Sequence, residues 1–281
     1  MNEQLGTIRK LAAPINENKM YSVDGWDENK NEQRQWLFKI VKRELPQELR
    51  VQSLTLPGLY FRFEQLIYDH FRAIQITTCE KNTRTFERGL AYMPRPAFQN
   101  AKHGRKRRGA KIQNYRFPWG HVDSGYTRQN RKRCDHFHCD IESFAIGLAK
   151  LPGWKNQKLA RRMLQRFNIV WLDTVSPIGC EFFTNVINNL HKVLANTNCV
   201  VSLSYVVGRD CKAISQVLKL CPGKSAADKR ANYIQHVLNQ HRDCEIIEVV
   251  KHKSAGGMQM ATVAIRVCRK TNHDENGVLI K

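Results

Sequence analysis

Apolar positions along the chain follow two rhythms, one of period 3.6 and one of period 2, and the switches between them predict the elements. From Asp27 to Leu45, Trp36, Leu37, Ile40 and Val41 fall at helical spacing and Pro46 stops the run, which predicts one helix after an aperiodic arm. Arg50 to Leu56 carries the alternation of a strand, and Pro57 and Gly58 break it before a helical pattern through Phe61, Phe63, Leu66 and Ile67. Ala73 to Cys79 is a second strand, rich in β-branched residues and ending at Glu80, followed by a helix from Thr83 to Tyr92.

The alternation then stops from about Arg95 to Arg133, where basic residues are too dense for a core. His136 to Asp140 is a short strand candidate, followed by helical patterns from Ile141 to Leu151 and from Lys155 to Arg166. Phe167 to Asp173 is a nearly continuous apolar run that ends in an acid, as expected of a central parallel strand buried on both faces. A helix from Glu181 to Ala195, a strand from Cys199 to Val207 and a helix from Ser225 to Gln240 come next. Cys244 to Lys251 and Met258 to Cys268 flank a Ser254–Gly257 turn and are joined too closely for a helical crossover, so they form an antiparallel hairpin. Strands alternating with helices predict an α/β fold, Rossmann-like, with a mostly parallel sheet, helices on both faces and one reversed edge strand. The expected organisation is an arm and helix over residues 1–48, an α/β domain over 49–270 with a basic insertion at about 95–133, and a tail over 271–281.

Charge narrows the partner. The 281 residues hold 46 Lys and Arg against 25 Asp and Glu, a formal net charge of +21, with a pI near 9.8. That excess points to a polyanion. No run of about 18 apolar residues offers a membrane span, so nucleic acid is the expected partner rather than a membrane. The polar N-terminus has no secretory pattern, which predicts an intracellular protein, cytoplasmic or nuclear. Nine cysteines, an odd number scattered through apolar segments, suit reduced thiols. Within the insertion, Tyr115, Phe117, Trp119 and Tyr126 are interleaved with cations, so phosphates can be neutralised while rings stack on bases. The candidate contact residues are Lys102, Arg105, Lys106, Arg107, Arg108, Lys111, Arg116, Trp119, Arg131, Lys132 and Arg133; a solvated loop or a nuclear-import run is the alternative.

Three local motifs carry less. Cys134, His136, His138 and Cys139 pack metal-ligand types closely, but a zinc site wants ligands from two separated pairs and no second pair is apparent, so no metal centre is expected. Cys221 to Ser225 ends like a phosphate loop, yet Leu218 stands where its first glycine belongs; a helix start capped by Ser225 is sufficient. Cys180 follows Gly179 rather than a proline and is expected to be a small buried residue, not a nucleophile.

The order of elements from Arg50 to Lys270 resembles the class I S-adenosylmethionine-dependent methyltransferases. In that family a glycine-rich turn follows the first strand and an acid ends the second; here Leu56-Pro57-Gly58 and Glu80 stand in those places. An acid–apolar pair after the third strand is matched by Asp140 and Ile141, and the acid closing the fourth by Asp173. The resemblance implies S-adenosylmethionine as cofactor, with Gly58 at the turn, Glu80 on the ribose, Asp140 and Ile141 beside the adenine, and Asp173 at the reaction centre. With the charge, it implies a methyltransferase acting on RNA or DNA. The turn holds one glycine, flanked by Leu56, Leu59 and Tyr60, where the family has three, and each lost glycine adds a Cβ near the cofactor. The other reading is therefore a non-catalytic nucleic-acid-binding or assembly protein that keeps the fold.

Overall fold

Ile74, Ile76 and Cys79 are buried in a strand, β2 (Ala73–Glu80), that has parallel neighbours on both sides. A computed structural model describes residues 28–57, 61–89, 94, 111–117, 120–126, 132–138, 141, 167–208, 210, 212–254 and 257–268. The chain forms two compact units, Met1–Phe144 and Ala145–Lys281. In the first, β1 (Arg50–Thr55) and β5 (Lys132–His138) flank β2, both parallel to it. Helix α1 (Glu28–Glu44) buries Leu37, Ile40 and Val41, and packs on α2 (Arg62–His70), which buries Phe63, Ile67 and Tyr68 between β1 and β2 in the chain. A third helix, α3 (Thr83–Gly89), follows β2.

The basic insertion differs from its expectation. Part of it is sheet: β3 (Lys111–Phe117) and β4 (Gly120–Tyr126) form an antiparallel hairpin, and β4 pairs antiparallel with β5, giving the order β3-β4-β5-β2-β1. An edge strand has free N–H and C=O groups that extend a sheet through the backbone alone, so the hairpin needs no apolar face of its own and its density of charge hid it.

The second unit is ordered β6-β7-β9-β8. Here β6 (Ile169–Pro177) and β7 (Cys199–Val206) run parallel, and every residue of β7 is buried. The expected hairpin is present as β8 (Asp243–Lys253) and β9 (Gln259–Cys268), but the reversed strand is not the edge: β9 lies antiparallel between β7 and β8. The chain leaves β7 through α5 (Lys212–Leu220) and α6 (Ala226–Asn239), passes over one strand position, and the tight turn brings β9 back into the gap. Tyr205 Oη donates to the Ala227 carbonyl at 2.9 Å, tying β7 to α6. Among the described residues no helix is long and apolar enough to cross a membrane, and none of the seven described cysteines is in a disulfide.

The segment before α6 is a helix start, as expected. Ser225 Oγ accepts the Asp228 N–H at 3.2 Å and Asp228 Oδ2 accepts the Ser225 N–H at 2.9 Å, a reciprocal capping box. The Ser225 hydroxyl holds the Asp228 carboxyl below its usual range. Gly223 sits at φ 136°, and a Cβ there would meet Asp228 Cβ and the Lys229 nitrogen at 2.8 Å. Gly223→Ala is therefore expected to destabilise the second unit by about 2 kcal/mol, read from urea unfolding; an unchanged midpoint would contradict the crowding.

Helix α4 (Glu181–Val193) ends in a cationic corner. The His191 ring stacks on His241, centroids 3.8 Å apart, and Arg242 Nη2 donates to the His191 carbonyl at 3.4 Å. Burial, then His241 and Lys192, push the His191 imidazole down to about 4. The folded state thus keeps it neutral where the unfolded chain, near 6.5, takes a proton. The unfolded state binds more protons between those values, so stability is lost as pH falls from about 6.5 to about 4. For a partly exposed ring the loss is on the order of 1 kcal/mol. His191→Gln is expected to flatten that part of the stability–pH curve; an identical slope in the variant would assign it to other groups.

Candidate active site

In the first unit β1, β2 and β5 all run the same way, so their C-terminal ends, Thr55, Glu80 and His138, mark one rim of the sheet. Open α/β sheets bind ligands at that rim, where loops are free to shape a crevice. Glu80 is the last residue of β2 and partly exposed. Its Oε1 accepts the Asn82 N–H at 2.7 Å, while Asn82 Oδ1 accepts the Thr85 N–H at 3.0 Å and so caps α3. The carboxylate is pinned by the turn that starts the next helix.

Beside it the interior is polar and tightly used. Thr55 Oγ1 donates to Glu64 Oε1 at 2.5 Å, both groups fully buried, with Glu64 in the first turn of α2 where a helix favours an acid. His136 is buried in β5, its Nδ1 2.7 Å from Thr78 Oγ1, its ring stacked on Phe86 at 4.4 Å and edge-on to Phe61 at 5.0 Å. Gly89 lets α3 approach these rings, since a Cβ there would lie 3.0 Å from Phe61 Cε2. Phe61 itself has φ 50°, the one positive φ among the described non-glycine residues. A bulky side chain in the left-handed region is strained. It is held there by burial of its ring at the start of α2.

The sequence-predicted residues divide accordingly. Glu80 stands at the strand end as expected, and its register partner on β5 is His138. Ile141 is buried; Gly58 and Asp140 lie outside the described residues. Of the nucleic-acid candidates, Lys111 and Arg116 are on β3 and Arg133 on β5, whereas Lys102, Arg105, Lys106, Arg107, Arg108, Trp119 and Arg131 lie outside the described residues. Lys132 is turned to the protein's own α2: its Nζ donates to the Tyr68 carbonyl at 2.5 Å and lies 5.0 Å from the Tyr68 ring centre, and burial lowers its pKa. Thr55, Glu64, Phe61 and Thr78 were not among the predicted site residues. Only the acid one turn into α2 left a trace in the sequence.

In the second unit Asp173 is partly exposed and falls within β6, not at its end. Regular pairing with β7 stops at Asp173↔Ser204, and an irregularity follows before Pro177↔Val206. Breaks of this kind re-aim side chains and recur next to active sites. Thr174 Oγ1 donates to the Ser204 carbonyl at 2.9 Å and closes the break. Cys180 is partly exposed rather than buried as expected, and serves as the N-cap of α4, its Sγ accepting the Phe183 N–H at 3.4 Å.

No family model matches the chain, and no curated protein matches it. Solved structures do. Trm1 from Pyrococcus horikoshii, in complex with S-adenosyl-L-methionine, aligns with a TM-score of 0.53 at 8% identity, over 91% of this chain and 58% of that one. The N-methyltransferase NodS from Bradyrhizobium japonicum WM9, with S-adenosyl-L-homocysteine, aligns with a TM-score of 0.43 at 11% identity, over 94% and 97%. Magnesium protoporphyrin IX methyltransferase from Synechocystis PCC 6803 aligns with a TM-score of 0.45 at 8% identity, over 95% and 94%. The fold is that of the class I S-adenosylmethionine-dependent methyltransferases.

Proposed function

We propose that this chain is an S-adenosylmethionine-dependent methyltransferase that acts on nucleic acid inside the cell. The observation that carries the reading is Glu80: a carboxylate at the C-terminal end of a strand with parallel neighbours on both sides, pinned through one oxygen by Asn82. A carboxylate has about four acceptor positions, so one that also serves its own turn still fits a diol such as a ribose. Glu80 would hold the ribose hydroxyls, Gly58 the turn beneath the cofactor, and Asp140 with Ile141 the adenine side. Asp173 would orient the acceptor group or the cofactor's amino group. When bound, the cofactor supplies an electrophilic methyl, displaced from sulfur by a lone pair of the acceptor. The protein's part is then mainly to position the acceptor and to keep water out.

The net charge of +21 supports a polyanionic acceptor. Replacing Arg105, Lys106, Arg107 and Arg108 with serine is expected to weaken RNA or DNA binding about tenfold and to reduce its salt dependence. An unchanged slope of log K against log salt would remove that stretch from the interface.

Phe61 favours a second reading, in which the fold is kept for binding or assembly. The chain enters α2 through a buried phenylalanine in the left-handed region, a conformation that glycine adopts without strain. Calorimetric titration of the full chain with S-adenosylmethionine separates the two. Saturable binding is expected, and neither heat nor a thermal shift at millimolar cofactor would leave only the binding protein.

A further inference from the structure

Strand β8 is the last of its sheet: β9 lies on one side of it and, among the described strands, none on the other. A strand so placed offers a row of backbone N–H and C=O groups to another strand. At 11 residues it is also long for an edge, since strands usually run to about 5–6 residues. Its middle carries Ile246, Ile247, Val249 and Val250, all only partly buried, whereas every residue of β7 is buried. The charges of β8 are sorted along its length: Asp243, Glu245 and Glu248 come first, and Lys251, His252 and Lys253 last. Both acids at the start and both lysines at the end are exposed. Glu245 accepts from Arg266 of β9 at 2.5 Å, yet its side chain stays 68% exposed, so solvent still reaches the carboxylate.

Lysines on an edge usually keep strands apart, but sorted charge forbids only some neighbours. A parallel copy of β8 would set acid against acid and lysine against lysine, which destabilises a strand pair. An antiparallel copy related by a twofold axis sets the acidic part of each strand beside the basic part of the other, twice, and gathers the partly buried apolar residues of both copies near the axis. We infer that the outer edge of β8 is a docking surface for a second copy of this chain, paired antiparallel to the first. The occupant is a copy rather than an unrelated strand because the charge order of β8 is complementary to its own reversal. The irregularity in the β8–β9 pairing falls between Ile246 and Glu248 and leaves a regular run on either side, so the first run of one copy meets the second run of the other. A strand pair of this kind buries less than about 1,200 Å², the range of weak and transient contacts, so association in the micromolar range is expected.

The test is sedimentation equilibrium of the full chain, treated with nuclease so that no polyanion bridges two molecules. A mass approaching twice that of one chain is expected as concentration rises through the micromolar range. Lys251→Glu with Lys253→Glu makes the edge acidic throughout, and Asp243→Lys with Glu245→Lys makes it predominantly basic. Each double variant alone is expected to associate at least about tenfold more weakly than wild type, because like charges then face each other. An equimolar mixture of the two is expected to recover the dimer, since the acidic edge now faces the basic one, and that recovery also shows that both variants fold. A single-chain mass for the wild type at every concentration, association indifferent to both variants, or a mixture no heavier than its components would each overturn the docking surface.

Discussion

Arg230→Ala is expected to destabilise the second unit by about 3–5 kcal/mol, the largest stability effect of any substitution considered, measured by urea unfolding followed through the buried Trp171. Arg230 is 5% exposed, and its guanidinium grips Asp210 in a fork, Nε donating to Oδ1 at 3.0 Å and Nη2 to Oδ2. A third donor, Nη1, reaches the Ala226 carbonyl at 2.6 Å in the first turn of α6. The side chain of Asp210 is 13% exposed. Removing the arginine leaves that carboxylate largely desolvated with its two charge-assisted bonds gone, and a buried charge without its partner costs several times what an exposed pair contributes. The double substitution Arg230→Met with Asp210→Leu should recover most of the loss, because it removes the stranded charge as well as the pair. A loss below about 1 kcal/mol in the single variant would mean that water reaches the pair.

For the proposed activity the largest effect is expected at Glu80. Glu80→Ala should weaken S-adenosylmethionine binding at least about 100-fold, since hydrogen bonds to a charged group contribute about 1.5–3 kcal/mol each and the ribose would lose two. Glu80→Gln, which keeps one acceptor oxygen, should fall between. The side chain is partly exposed at a strand end, so the sheet itself tolerates the change, but the Asn82 N–H loses its acceptor and the start of α3 is loosened. Asn82→Ala provides the control: it disturbs the same turn while leaving the carboxylate, and a loss equal to that of Glu80→Ala would make Glu80 a structural residue of the turn. Equal affinity in wild type and Glu80→Ala would end the ribose assignment outright.

How much of this was legible beforehand follows from what each element depends on. Strands β1, β2, β6 and β7 and helices α4 and α6 are visible in the sequence because their periodicity is local and their ends are marked by Pro46, Pro57, Gly179 and the Ser225 cap. Helix α5 was missed because it is only nine residues long: Ile214 and Leu218 are its buried positions, and too few turns repeat for the period to stand out. The β3–β4 hairpin was missed for a different reason, because an edge extension is held by backbone bonds that no side-chain pattern reports. The position of Glu80 at the end of β2 was legible from the alternating strand before it. Phe61 could not be, since nothing in a sequence announces a left-handed backbone at a phenylalanine.

The sequence by itself determined the class of fold, the parallel core strands, the capped start of α6 and the net charge of +21, because period, capping chemistry and charge are properties of neighbouring residues or of simple sums. Only the tertiary structure decided that β9 enters between β7 and β8, that Lys132 turns to Tyr68, that His136 is enclosed by two rings, and that His121 and Asp123 come to lie against β5. Each of these joins residues far apart in the chain through strand register or packing, and a register is selected by the fit of whole elements rather than by any local signal.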